Sequence, residues 1–123
     1  MLHGRLLAES LRLGADLSVP DMTLTRLGRH DESGSTTGGQ PAVWTFVDFT
    51  APDHRADALA AALAASLLPD DGWYANFQLR DEHVIVFAGK VFRYRKGDQA
   101  ARDEVVAYGR SVGTPEHQLD WGD

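Results

Sequence analysis

The run from Gly72 to Asp98, GWYANFQLRDEHVIVFAGKVFRYRKGD, limits what this chain can fold into more than any other segment. β-Branched and aromatic residues fill three short runs, and turn signals at Asp81–Glu82 and Ala88–Gly89 part them. The pattern predicts three antiparallel strands, roughly 73–80, 83–87 and 90–96. A two-residue loop at Ala88–Gly89 places Glu82 opposite Arg95 and Asp81 opposite Lys96. A three-residue loop places Asp81 opposite Arg95.

The flanking segments read more simply. AVWTFVDFT, from Ala42, is β-branched and aromatic and predicts a strand. APDHRADALAAALAASLLPDDG predicts a helix, with Asp53 as N-cap, a stripe of Ala56, Leu59, Ala60, Leu63 and Leu67, and a stop at Pro69. QAARDEVVAYGRSVG predicts a second helix, capped by Asp98, with Ala101, Val105, Tyr108 and Val112 on its buried stripe. Trp121 is expected to anchor the tail, because a terminal indole is costly to leave in water. Near the N-terminus, MTLTRLGR favours a strand over residues 22–29, whereas RLLAESL fits a strand or a short helix. Residues 30–41, rich in Gly, Ser and Thr, predict a flexible loop within a single domain of residues 1–123.

Together these elements predict an α+β fold. The expectation is a two-layer sandwich, an antiparallel sheet with two helices on one face, ferredoxin-like in general plan. Strand alternation then sorts the side chains. Ala75, Phe77, Leu79, Val84, Val86 and Val91 share an apolar face suited to the helices. The other face gathers Trp44, Asp48, Asn76, Gln78, Arg80, His83, Phe92 and Tyr94, mixing aromatic and polar groups. It is too apolar for open solvent, so the N-terminal strands, a second subunit or a ligand should cover it. These eight residues are the candidate binding face, and Asp48 is expected to orient the His83 imidazole if a pocket forms there.

Several motifs fail on inspection. The basic, aromatic stretch FAGKVFRYRKGD suggests nucleic-acid binding, but alternation puts Arg93 and Arg95 opposite Phe92 and Tyr94. Single-strand binders need bases stacked inside a positive groove. GKVFRY also lacks the glycines of an RNA-recognition motif. GSTTGGQ is not a phosphate loop, because Gln40 replaces the lysine and Pro41 with a strand replaces the helix. No two histidines have the i, i+4 spacing of a helical metal site, so no metal or other cofactor is expected.

A formal net charge of −6 disfavours polyanionic partners. The absence of cysteine excludes thiolate chemistry and disulfides. The N-terminal segment is interrupted by Arg5, Glu9 and Arg12 and no apolar run reaches membrane length, which predicts a soluble cytoplasmic protein without membrane association.

The segments WTFVDF, GWYANF, VFAGKVFRYRKGD and AYGRSVGTPEHQLDW resemble a group of small, uncharacterised bacterial proteins, over about residues 4 to 121. The resemblance implies a compact cytosolic domain and brings no activity with it. The functional expectation is therefore a non-enzymatic binding or interaction module, a homodimer formed through the open sheet face, with a protein or a small molecule as partner. The alternative is a cofactor-independent enzyme, monooxygenase- or isomerase-like, with a pocket over the sheet. RNA binding stands third.

Overall fold

Six strands build one antiparallel sheet: β1 (Leu2–Leu7), β2 (Thr23–Asp31), β3 (Val43–Ala51), β4 (Tyr74–Leu79), β5 (Glu82–Phe87) and β6 (Lys90–Arg95). Two helices, α1 (Ala56–Ser66) and α2 (Gln99–Ser111), pack against it. This computed structural model describes residues 1–36 and 39–121. Thr37 and Gly38, inside the expected loop, lie outside the described residues.

The meander forms with the two-residue loop. Phe87 pairs with Lys90 across Ala88–Gly89, and Glu82 stands opposite Arg95. The Lys96 amide donates to the Asp81 carbonyl at 2.7 Å. The ion pairs run diagonally: Arg93 meets Glu82 at 2.8 Å and Arg95 meets Asp81 at 3.3 Å. Both arginines of the basic strand are thus matched by carboxylates; the register argument anticipated one for Arg95 and none for Arg93. The first turn lies one residue earlier than expected, with Arg80 at φ 55°.

Strand order could not be read from local pattern. It is β2-β3-β1-β4-β5-β6, so β1 is a central strand between β3 and β4. Its alternation explains the fit: Leu2 and Leu6 enter the core while His3 and Arg5 face outward. Gly4 permits close packing, since a Cβ there would lie 2.4 Å from Phe49 Cζ and 2.6 Å from Phe77 Cβ. Beyond the end of β1, Glu9 continues the ladder, accepting from the Thr45 amide at 2.6 Å and its hydroxyl at 2.7 Å.

The helices take opposite faces, which corrects the expectation that both share one face and departs from the ferredoxin-like plan. α1 buries Leu59 and Leu63 against Leu2, Phe49, Phe77, Val84 and Val86. α2 buries Val105 on the other side, with Ile85, Phe87, Tyr94, Leu119 and Trp121. The physical reason lies in the second face itself, where Ile85, Phe87, Phe92 and Tyr94 are too apolar for open solvent and take cover from a helix. The stripe of α2 meets that aromatic side, where the Phe87 and Tyr108 rings lie 5.0 Å apart. On the α1 side, Leu11, Leu17, Val19 and Met22 from the segment between β1 and β2 pack against the core. Val91, assigned to the α1 face, remains 41% exposed near the sheet edge.

Cap predictions divide. Asp98 caps α2, accepting from the Ala101 amide at 3.0 Å. Asp53 does not cap α1. A short 3-10 turn (Asp53–Arg55) intervenes, and Asp53 faces Arg80 at 3.4 Å and the Met1 ammonium at 3.0 Å. Among the described residues, no helix is long and apolar enough to cross a membrane.

Candidate functional site

α2 and the C-terminal segment cover only the β4-β5-β6 half of their face. Over the β3-β1-β4 half lies a cleft of about 860 Å³. Its floor comes from three adjacent strands. Arg5 on β1 is opposite Asp48 on β3 and Asn76 on β4, and His3 is opposite Gln78. Antiparallel pairing of β1 on both sides therefore sets five polar side chains in adjoining positions.

The floor is fixed by charge-assisted hydrogen bonds. Arg5 donates to both carboxylate oxygens of Asp48, at 2.7 Å from Nε and 3.2 Å from Nη2. Arg26 approaches the same carboxylate at 3.6 Å. The Arg5 hydrogen bonds, outweighing burial and joined by the charges of Arg5 and Arg26, hold the Asp48 carboxyl below its ordinary range. Asp48 is therefore a fixed anion and a poor proton acceptor; what it does is orient Arg5. The Arg5 guanidinium also lies 5.2 Å from the centre of the Phe46 ring. Lys96 Nζ donates to Gln78 Oε1 at 2.7 Å, setting that amide.

Aromatic side chains form the other end. Trp44 donates its indole N–H to the Pro41 carbonyl at 2.9 Å and stacks edge-on with Trp73 at 5.8 Å. Trp121 meets Tyr74 edge-on at 5.6 Å and donates to the Tyr94 hydroxyl at 2.7 Å. The Tyr74 hydroxyl donates to the Gln118 carbonyl. Burial, followed by the nearby negative Asp120, pushes the Tyr74 phenol up from its usual pKa, so it stays a protonated donor.

The C-terminal segment and the loop after β2 make a wall. Gln118 and Gln40 exchange amide hydrogen bonds, and Gln118 Nε2 also donates to the Ser35 carbonyl at 2.6 Å. His117 Nε2 lies 2.7 Å from the same carbonyl. The segment reaches this position because Thr114 sits against Gly72, where an added Cβ would be 2.2 Å from the Thr114 amide nitrogen. The Thr114 hydroxyl donates to the Gly72 carbonyl at 2.7 Å.

Of the eight residues expected on the binding face, the cleft brings together Trp44, Asp48, Asn76 and Gln78. The other four lie elsewhere. Arg80 is in the β4–β5 turn, 78% exposed in its side chain. His83 is fully buried, with its ring 5.5 Å from that of Tyr94. Phe92 packs on Tyr108 at 5.3 Å, under α2. Tyr94 is buried beneath Trp121. The expected Asp48–His83 pair does not form, because β1 and β4 stand between their strands, a separation of roughly 14 Å. His3, Arg5, His117 and Gln118 were missed. The alternation of Leu2 and Leu6 with His3 and Arg5 was the available signal for the first two.

Among the described residues, no group of three or more His, Asp or Glu is placed to hold a metal ion. No family model, curated protein or solved structure matches the chain.

Proposed function

We propose that the protein is a binding module whose cleft over β3-β1-β4 takes a small organic molecule. One observation carries this reading: five polar side chains from three adjacent strands converge on the floor of a cleft walled by tryptophans. Sites of this size, with a few fixed polar groups among apolar walls, suit small ligands. The most apolar part of the same sheet face already has intrachain cover from α2 and Trp121. A second subunit is therefore not needed to keep that part from water. The enzyme alternative drew on Trp44, Asp48, Asn76, Arg80, His83 and Tyr94, of which the cleft gathers the first three.

The test is a small-molecule screen followed by amide and indole NMR. A ligand is expected to shift Arg5, Asn76 and the Trp44 indole. His83→Ala should leave its affinity unchanged. If no compound shifts these residues and sedimentation gives a dimer that Arg5→Glu dissociates, the face is a self-association surface and the proposal fails.

A further inference from the structure

We infer that the cleft selects a monoanionic aromatic compound, its carboxylate on Arg5 and its ring among the tryptophans; this rests on the cleft being a ligand site. The cleft is polarised along β1. Leu7 lies four residues along the strand from His3, a span of about 13 Å. His3, Arg5 and Gln78 occupy one end. Phe46, paired with Leu7, begins the aromatic end, which Trp44 and Trp121 complete.

At the polar end, positive charge predominates although the whole chain is acidic. Arg5, Arg26 and Lys96 are gathered about the single carboxylate of Asp48 and the amide of Gln78. The Asp48 fork uses Nε and Nη2 of Arg5 and leaves Nη1 to donate to an occupant. Gln78 gives its Oε1 to Lys96, so its Nε2 is oriented as a second donor. Of the three cations, Arg5 alone lines the main cleft. One guanidinium edge and one amide suit a carboxylate better than a phosphate dianion. Glu32 and Asp120 line the cleft as well. Their placement on the wall, beside the aromatic end, opposes a second anionic group there.

The experiment uses 2-naphthoate, its neutral 2-naphthamide, naphthalene-2,6-dicarboxylate and inorganic phosphate as probes, with calorimetry and amide NMR on the full chain. Naphthoate is expected to bind about tenfold tighter than the amide and the dicarboxylate. Phosphate is expected to leave the floor resonances unmoved. Arg5→Gln should abolish the preference for the acid, so that acid and amide bind the variant within about twofold of each other. Because that change strands Asp48, the double variant Arg5→Gln/Asp48→Asn is measured beside it and should give the same result. Equal binding of acid and amide, with floor residues shifted, overturns the carboxylate assignment and leaves the cleft standing. Tighter binding of phosphate or of the dicarboxylate overturns it likewise. Failure of every probe to shift Arg5, Asn76 or Trp44 overturns the aromatic-carboxylate assignment, and the wider screen with sedimentation then decides the cleft itself.

Discussion

Gln118 and Gln40 face each other with their side-chain amides reciprocally bonded, at 3.1 Å and 2.9 Å. This pair joins segments 78 residues apart in sequence. It is partly buried, so each amide left alone would lose more than a solvated one does.

Alanine at either position is expected to cost about 1–2 kcal/mol, measured by urea unfolding. The double variant should cost less than the sum, with a coupling of about 0.5 kcal/mol or more. Strict additivity would show that the pair does not hold the wall.

Asp48→Asn is expected to lower stability at neutral pH by less than about 1 kcal/mol, because the Arg5 partner is half-exposed. Its pH dependence is the sharper test. The folded carboxyl is lowered by the Arg5 hydrogen bonds, so its contribution is complete above the unfolded value of about 3.9 and is lost as pH falls through the folded one. The gap between the two proteins should therefore hold steady from neutral pH down to that value and close in stronger acid. A gap that widens on acidification would contradict the assignment.

Gly4→Ala should destabilise the sheet by about 2–3 kcal/mol, since the new methyl group meets Phe49 and Phe77 inside van der Waals distance. Gly28→Ala on β2 is the control. A Cβ there has the His30 imidazole as its nearest neighbour, at 3.1 Å, and that ring sits on an exposed side chain free to swing aside. Comparable losses at both positions would mean that the central strand is not closely packed at Gly4.

Particular residues show how far the chain could be read in advance. The β5–β6 pairing is one of the two registers that the Ala88–Gly89 turn allowed, because turn and alternation act between residues close in sequence, whereas the β4–β5 turn falls one residue before its signal. The α2 cap at Asp98 and the α1 stripe were legible for the same reason. The place of β1 was not. Nothing in LHGRLL records which distant strands pair with it, and its central position decides which polar groups share a floor. Arg5 and Asp48 are 43 residues apart and Arg5 and Asn76 further still, so their meeting is a property of topology. The side taken by α2 follows the apolar group it covers, Ile85, Phe87 and Tyr94, a cluster assembled from β5, β6 and the C-terminal segment. His83 was placed on the correct face by alternation. That face is divided, and His83 falls in the half under cover.

The central position of β1 has a consequence for folding. The β4–β6 meander closes through short loops, whereas β1 must recruit β3 and β4 across long stretches of chain at a greater entropic cost. The cleft floor lies across that seam, with Asp48 on one side and Asn76 on the other. An occupant touching both would bind only the closed sheet, so its binding free energy would add to that of global folding and raise the unfolding temperature with ligand concentration.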